Sequence, residues 1–398
     1  MGCKQPMSIA LLYERSENDE MGIKLTAEKM GISLTYIPFR KIAFSIHKNG
    51  YNAKTKGKDY TNTIKDTAVV LNRAQSKNRR LFAAHAMEIL GKKVINPTST
   101  EFVCYSKLRT LMHFWAEGIP IPKTVYVPCD AYDTTKDGKE IHNEEDIADL
   151  LQNEIASEEG IVIKPDAGTH GKMILLSKNR EELVANIRET KPSIINPVGI
   201  LAQEYIQKWF YDLRIIVYKE KGKAPVCHPV ALARGGFKDF RTNTYLGNLV
   251  FDSKLPLHIR ELAVKCGKAL AKEHEAWVFA LDAMINVGEN KIANEEDLKS
   301  ELEKAAVAFE PARKVKADET RLHDFPSWNS KLEAAFQDYM SSEPYAKIKR
   351  VIEENVEKNK HAVVFHEANS CPEFWEQTRL IAGINVAVPL IKGAQSLI

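Results

Sequence analysis

Two apolar segments of the chain carry isolated oxygen ligands. Asp282 lies within WVFALDAMI (residues 277–285), and Glu367 lies near the end of AVVFHEA (residues 362–368), which Asn369 follows. Both segments have the pattern of buried strands. Two carboxylates on neighbouring buried strands repel each other unless a cation lies between them, and oxygen-only ligands suit Mg²⁺. The pair therefore indicates a magnesium site, and the alternative is that each acid pairs with a nearby arginine.

A second candidate site follows the apolar strand pattern of residues 161–163. The sequence IVIKPDAGTHGK places Lys164 before a small-residue turn that contains Gly168, Thr169 and Gly171. Such a turn exposes consecutive backbone N–H groups, which together with the lysine and the hydroxyl suit polyphosphate oxygens. It matches neither the P-loop nor the dinucleotide-binding pattern. An ordinary hairpin is the alternative.

Further candidates lie at the ends of other elements. Lys107 begins the helical pattern of residues 106–117, whose apolar side chains we expect to face inward; the alternative for Lys107 is an exposed surface lysine. Gln203 and Glu204 lie near the end of the strand pattern at residues 200–206. A buried carboxylate needs a donor, which an adenine amino group, a ribose hydroxyl or a backbone amide would supply. In the helical pattern of residues 106–117, the side chains expected to face inward are those of Leu108, Leu111, Met112 and Trp115.

A basic, glycine-containing loop occupies residues 234–243. Arg234, Lys238 and Arg241 lie within eight residues there, and Arg214 alternates with apolar residues in the strand pattern before it. Arginine offers forked donors that suit carboxylate or phosphate, and glycine lets the backbone approach a ligand. A solvated basic loop is the alternative.

Composition excludes several classes of protein. With 56 basic and 53 acidic side chains among 398 residues, the formal net charge of +3 gives no whole-molecule attraction for nucleic acid or membranes. No apolar run reaches the roughly 18 residues of a membrane span. The six cysteines form no C-x-x-C pair and no zinc spacing, which favours reduced thiols in the cytoplasm.

The order of elements indicates several packed domains. Strand and helix patterns alternate over residues 8–95, which predicts a small parallel α/β domain. A stretch rich in proline and asparagine at residues 191–199 marks a hinge. Residues 286–361, between the two acid-bearing strands, read as a solvated helical excursion broken at Pro311 and Pro326. We assign no chemistry to this excursion and expect it to contact an oligomer mate or partner.

Taken together, these motifs resemble the ATP-grasp superfamily and, within it, the RimK and LysX branch of carboxylate–amine ligases. The resemblance covers about residues 8–391 apart from the helical excursion. The segments that carry it are Ser106-Lys107-Leu108, Gly118-Ile119-Pro120-Ile121-Pro122, Val162-Ile163-Lys164, Gly168-Thr169-His170-Gly171, Gln203-Glu204-Tyr205-Ile206, Asp212-Leu213-Arg214, Asp239-Phe240-Arg241-Thr242-Asn243, Asp282 and Glu367-Ala368-Asn369-Ser370-Cys371-Pro372.

The resemblance implies a mixed α/β (α+β) three-domain ATP-grasp fold. Its expected parts are an N-terminal open α/β domain at residues 1–97, a central lid domain at 98–199 and a C-terminal domain at 200–398, with the helical insertion at 286–361. ATP and two Mg²⁺ ions are the expected cofactors, with Mn²⁺ as a substitute. The chain is expected to be a cytoplasmic homo-oligomer that binds neither nucleic acid nor membranes.

The resemblance also implies roles for single residues. Lys107 and Lys164 would hold the α- and β-phosphates under the lid turn, and Glu204 and the backbone of Ile206 would read adenine. The full ATP-binding set comprises Lys107, Lys164, Gly168, Thr169, His170, Gly171, Gln203, Glu204, Tyr205, Ile206 and Asp212. Asp282, Glu367 and Asn369 would hold the metal ions, and Arg214, Arg241 and Asn243 would stabilise the acyl phosphate.

The activity implied is ADP-forming ligation of a carboxylate to an amine through an acyl phosphate. Candidate acceptors are a protein C-terminus, a peptide or a cofactor tail, and the amine would come from an amino acid such as glutamate. Two alternatives stay open, an ATP-grasp small-molecule kinase and a nucleotide-binding scaffold without turnover. A phosphate assay discriminates the ligase from the kinase, because a ligase releases free phosphate when an amine is supplied and a kinase does not.

Overall fold

The computed structural model of the chain describes residues 8–128, 143–168, 172–190, 199–242 and 247–398. Four of the predicted site residues, Thr169, His170, Gly171 and Asn243, lie outside these ranges. Within the described ranges, no helix combines the length and apolar character needed to cross a membrane.

The first part of the chain forms the predicted parallel sheet. Its elements are β1 (Ser8–Tyr13), α1 (Asn18–Lys29), β2 (Leu34–Pro38), β3 (Ala43–His47), β4 (Gly50–Lys54), α2 (Thr61–Asp66), β5 (Thr67–Arg73), α3 (Lys77–Ile89) and β6 (Lys93–Ile95). The sheet order is β2-β1-β5-β6 with parallel pairing, and β3 and β4 form a separate hairpin. Successive side chains of β1 enter different cores: Ile9 and Leu11 join the main core, and Ala10 and Leu12 join a smaller one. The sheet is therefore buried on both faces, as parallel sheets are.

The central part of the chain is an antiparallel sheet with two helices on one face. Its elements are α4 (Thr98–Tyr105), α5 (Lys107–Ala116), β7 (Thr124–Val127), α6 (Glu144–Ile155), β8 (Ile161–Lys164), β9 (Leu175–Ser177), α7 (Arg180–Thr190) and β10 (Ile200–Glu204). The sheet order is β7-β10-β8-β9, and residues from the sheet, α6 and α7 share a separate hydrophobic core. Because β10 pairs with β7 and β8, we propose that the last domain begins after Glu204 rather than at residue 200.

Helix α5 is rotated relative to the sequence prediction. Leu111 and Phe114 are buried, but Met112 and Trp115 are 56% and 70% exposed, so the expectation that both face inward is wrong. The reason is that Lys107 is itself buried and lines the cleft described below. Leu111 and Phe114 follow Lys107 by four and seven positions, so they lie on the same face of the helix as this lysine.

The last part of the chain is built on a second antiparallel sheet. Its elements are β11 (Tyr211–Lys219), β12 (Val226–Cys227), β13 (Val230–Gly235), β14 (Leu249–Lys254), α8 (Leu257–Ala271), β15 (Trp277–Ile285), α9 (Glu295–Ala317), α10 (Phe325–Met340), α11 (Glu343–Lys358), β16 (Val363–Asn369), α12 (Gln377–Leu380) and α13 (Ala387–Leu397). The sheet order is β14-β13-β11-β15-β16, and β12 pairs with β11. On β15, Asp282 lies opposite Arg214 of β11 and opposite Glu367 of β16.

Helices α9, α10 and α11 form the insertion, and their inner faces belong to the main core. Two tyrosines fasten it to β14: the Tyr339 hydroxyl donates to the Val250 carbonyl at 3.0 Å, and the Tyr345 hydroxyl contacts the Asp252 carboxylate at 2.6 Å. The predicted break at Pro311 is wrong, because α9 continues through it. Burial of Phe309 on the same helix offsets the free-energy cost of the backbone hydrogen bond that Pro311 cannot donate.

A buried ion-pair cluster joins the first and last parts of the chain. The Arg73 guanidinium, only 5% exposed at the end of β5, pairs with Asp19 at 3.0 Å and Glu20 at 3.2 Å. It also donates to the Pro372 carbonyl at 3.1 Å. The Asp19 carboxylate in turn accepts the backbone N–H of Trp375 at 2.8 Å. The segment after β16 is thereby fixed against α1.

We expect Arg73→Met to lower the free energy of unfolding by about 3–5 kcal/mol, since it leaves two buried carboxylates without their cation. Urea denaturation followed by tryptophan fluorescence measures this change. Arg15→Met removes an ion pair that is about half exposed and should cost less than about 1 kcal/mol. Equal effects of the two substitutions would contradict the role given to this cluster.

Candidate active site

A cleft of about 480 Å³ lies where the three parts of the chain meet. All the predicted site residues that fall within the described ranges line it. They are Lys107, Lys164, Gly168, Gln203, Glu204, Tyr205, Ile206, Asp212, Arg214, Arg241, Asp282, Glu367 and Asn369. Residues that are up to 262 positions apart in sequence, Lys107 and Asn369, thus face one cavity.

Two buried lysines enter the cleft from the central part of the chain. Lys107 donates to the Gly168 carbonyl at 2.9 Å and lies 3.7 Å from the Glu367 carboxylate. Asp166 fixes its position by accepting the backbone N–H of Leu108 in the first turn of α5 at 2.8 Å. Lys164 is 6% exposed, and its side-chain ammonium group has no hydrogen-bond or ion-pair partner among the described residues. Burial, together with the charge of Lys107, lowers the pKa of Lys164 to about 7.

The two predicted metal-binding carboxylates are neighbours across β15 and β16. Asp282 accepts a bidentate pair of hydrogen bonds from Arg214, at 2.9 and 3.0 Å, and lies 3.2 Å from Arg234. Burial would raise the pKa of Asp282, but the two guanidinium groups hold it well below its ordinary value. Burial acts in the same sense on Glu367 and is the largest single influence, but the charges of Lys107 and Lys77 together lower its pKa overall. Both acids are ionised, and Asp282 has the arginine partner that was the alternative to a metal.

The donor set nevertheless fits a magnesium ion. Asp282, Glu367 and Asn369 offer only oxygen ligands. Oδ2 of Asp282 already faces two guanidinium groups, whereas Oδ1 accepts one hydrogen bond from Arg214 and retains a second lone pair for a metal. No group of three or more His, Cys, Asp or Glu side chains within the described ranges could hold a metal by itself. An ion here would therefore share oxygens of a bound phosphate and water, which is the usual arrangement for Mg²⁺.

Arg234 is a site residue for which the sequence suggested only a loop role. Its guanidinium donates to both oxygens of Asp212 at 2.8 Å and also reaches Asp282. Burial, the largest single influence, would raise the pKa of Asp212, but Arg234 and Lys208 together lower it overall. Asp212 was predicted as a member of the ATP-binding set, and both of its oxygens already have a guanidinium partner. The pairing of β11 with β13 brings these residues together, which no local signal in the sequence reveals.

The end of β10 supplies the predicted base-binding residues. Glu204 accepts the Lys123 backbone N–H at 2.7 Å through one oxygen, so a backbone amide is the donor that the sequence required. Gln203 donates to the Thr124 hydroxyl at 2.9 Å. The Tyr205 ring packs edge-on against Phe240, with centroids 6.4 Å apart, and thus links β10 to the basic loop.

The basic loop is described only in part. Arg241 pairs with Asp239, at 2.9 and 2.6 Å, and lines the cleft. The predicted partner Asn243 and the turn residues 169–171 lie outside the described residues.

Several other cleft residues had no functional signal in the sequence. His366 is the extra residue of a bulge in β16, so it faces the cleft beside Glu367. Its Nε2 atom is buried without a partner among the described residues, and burial lowers its pKa to about 4. Lys77 of the first part and Lys316 of the insertion also line the cleft, although the insertion was predicted to hold no chemistry. Only the tertiary fold places these three residues here.

Positive charge exceeds negative charge in the cleft. Ten lysine and arginine side chains line it, against five aspartate and glutamate side chains. The whole chain has a formal net charge of only +3, so basic residues are concentrated at this point. Such a cleft attracts a polyanion.

Comparisons with known proteins agree with this chemistry. A RimK-like ATP-grasp domain matches residues 134–312. The α-aminoadipate–LysW ligase LysX of Sulfurisphaera tokodaii is 26% identical over 260 residues, which cover 65% of this chain and 80% of that protein. The coenzyme γ-F420-2:α-L-glutamate ligase of Methanocaldococcus jannaschii is 27% identical over 204 residues, covering 50% of this chain and 60% of the relative.

Solved structures agree in fold. The D-Ala:D-Ser ligase VanG from Enterococcus faecalis has a TM-score of 0.56 at 13% identity, covering 99% of this chain and all of that one. The ATP-grasp ligase PsnB, complexed with a minimal precursor, has a TM-score of 0.53 at 9% identity, with the same coverage. The predicted α+β ATP-grasp fold is confirmed. Residues 134–312 of this chain match the RimK-like ATP-grasp domain, and the similarity to LysX and to the glutamate ligase supports an ADP-forming ligase that makes carbon–nitrogen bonds.

Proposed function

We propose that this ligase activates an acceptor carboxylate as an acyl phosphate and then joins it to the amino group of an amino acid. The unpaired, buried Lys164 is the observation that carries the proposal. A buried ammonium group without a counter-ion is costly, by several kcal/mol even after relaxation. A phosphate chain is the ligand that removes this cost.

In this proposal ATP lies along the cleft with its base at β10. The second carboxylate oxygen of Glu204 has no partner among the described residues, so it is available to the adenine amino group. Lys107 and Lys164 bind the α- and β-phosphates, and the turn that begins at Gly168 covers them. Asp282, Glu367 and Asn369 would hold Mg²⁺, which neutralises phosphate charge when bound.

The cations of the cleft then stabilise two successive steps. The acceptor carboxylate attacks the γ-phosphorus, and ADP leaves with the electron pair of the broken bond. The amine next attacks the activated carbonyl and phosphate departs. Arg214 and Arg241, with Asn243, would stabilise the negative charge that develops in both steps. Closure of the lid would keep water from the acyl phosphate.

The substrates proposed follow from the activities for which the two relatives are named. LysX is an α-aminoadipate–LysW ligase, and the methanogen relative is a coenzyme F420:glutamate ligase. We therefore propose a protein, peptide or cofactor carboxylate as acceptor and glutamate as the first amine to test. We place the enzyme in the cytoplasm, because the cysteines within the described ranges are free thiols. The homo-oligomer stays a prediction.

The function is tested by incubating the protein with MgATP, glutamate and a lysate of its host. We expect equal amounts of ADP and free phosphate, together with a product heavier by one glutamate residue in mass spectrometry. Glu367→Gln is the matched variant: it should keep the fold and lose at least about 100-fold in turnover. Full turnover by this variant would remove Glu367 from the site, and a phosphorylated product without free phosphate would identify a kinase.

The lowered pKa of Lys164 predicts proton uptake when ATP binds. At pH 8 a lysine with a pKa of about 7 is largely neutral, and the triphosphate favours its charged form. MgATP binding should therefore take up protons at pH 8 and weaken as the pH rises from 6 to 9. Calorimetric titration in buffers of different ionisation enthalpy measures the uptake.

Two variants of the lysine positions complete this experiment. Lys164→Met should bind MgATP more weakly and take up fewer protons, whereas Lys178→Met, at an exposed position, should match the wild type. A binding enthalpy that does not depend on the buffer at pH 8 would contradict the assignment of Lys164.

A further inference from the structure

Lys77 is a cation of the cleft that neither the sequence motifs nor the proposed ATP contacts use. It is the first residue of α3, so it comes from the N-terminal part of the chain, whereas Lys107 and Lys164 come from the central part. Its side chain has no hydrogen-bond or ion-pair partner among the described residues. A partly buried ammonium group that lines a ligand cleft without a partner is available to an anion.

Lys77 lies close to the same charged groups as Lys164. Burial and the charge of Lys107 lower the pKa of Lys77 to about 8, and Glu367 acts in the opposite direction. Lys107 and Glu367 also act on Lys164, and the side chains of Lys107 and Glu367 lie 3.7 Å apart. The three lysines therefore share one carboxylate as a neighbour.

The position of the proposed base-binding residues indicates which phosphate would come nearest to Lys77. These residues lie at the end of β10, which pairs directly with the strand that carries Lys164. A triphosphate that begins on that side would contact Lys164 and Lys107 of the central part of the chain. Its terminal phosphoryl group would then lie nearest to the N-terminal part, which contributes Lys77 to the cleft.

Local contacts hold the start of α3 in place. The Ser76 hydroxyl caps the helix by accepting the Arg79 N–H at 3.5 Å, and the Ser76 N–H donates to Glu14 at 2.9 Å. Arg80 donates to Glu101 at 2.9 Å, which ties the same turn to α4. Lys77 is thus presented from a fixed backbone, and the positive end of the helix dipole adds to its charge.

We propose that Lys77 binds the phosphoryl group in transit from ATP to the acceptor carboxylate, so that the N-terminal domain completes the phosphoryl-transfer site. The inference rests on the proposed function. In that step the bond from the γ-phosphorus to the bridging oxygen breaks, its electron pair leaves with ADP, and a bond to a carboxylate oxygen forms. Lys77 keeps its proton and donates hydrogen bonds to the phosphoryl oxygens throughout.

Inorganic phosphate is the probe, because the phosphate released by the reaction occupies the position of the transferred group. Calorimetric titration of phosphate into the full-length protein saturated with MgADP measures its affinity. We expect Lys77→Met to weaken phosphate binding by about 10-fold or more, the contribution of one charged hydrogen bond. Its affinity for MgADP and its melting temperature should match those of the wild type.

Three further variants separate charge from structure. Lys77→Arg should restore most of the phosphate affinity, and Lys48→Met, at an exposed turn of the same domain, should leave it unchanged. Lys77→Gln replaces Lys77→Met if the latter fails to fold. A phosphate affinity that is unaffected by loss of the charge, or no phosphate binding to the wild-type MgADP complex, overturns the inference. Failure of the wild type to bind MgADP at all overturns the proposed function instead.

Discussion

An excess of buried positive charge at one carboxylate is the constraint on which this structure depends. Lys107 lies 3.7 Å from Glu367, and the charges of Lys77 and Lys164 act on the same region. One carboxylate cannot balance the charges of three lysines, and the pKa is lowered to about 7 for Lys164 and to about 8 for Lys77, so full protonation of the ligand-free cleft carries an electrostatic cost. The fold carries this cost because the lysines are fixed on three different elements, Lys77 on α3, Lys107 on α5 and Lys164 on β8, and a bound triphosphate removes it.

Neighbouring ion pairs fix the positions of other charged side chains in the cleft. Arg234 lies between Asp212 and Asp282, and Arg214 holds the other side of Asp282. These guanidinium groups keep the carboxylates ionised and oriented before any metal or nucleotide arrives. Such preorganisation is what an in-line transfer between two anions requires, because there is little covalent chemistry for the protein to supply.

The acid-bearing strands were predictable from sequence, and long-range geometry was not; the glycine turn at residues 168–171 stays a prediction, because most of it lies outside the described residues. Asp282 and Glu367 stand out as acids within apolar segments, and the register of β15 and β16 places them side by side as expected. Arg234, His366 and Lys77 gave no comparable signal, because their importance arises from sheet pairing, a bulge and the packing of separate domains. The wrong inward face of α5 has a related cause. A pattern of apolar residues cannot show that a lysine of that helix must face the cleft, which exposes Trp115.

Comparison of MgATP with adenosine as ligands tests the central claim most directly, that the uncompensated cations exist to bind a phosphate chain. Equilibrium dialysis should show one MgATP per chain, with an affinity that falls as salt is added. Adenosine should bind at least about 100-fold more weakly, since it lacks the groups that the lysines would contact. Adenosine binding as tight as that of MgATP, or no binding of MgATP, would contradict the account.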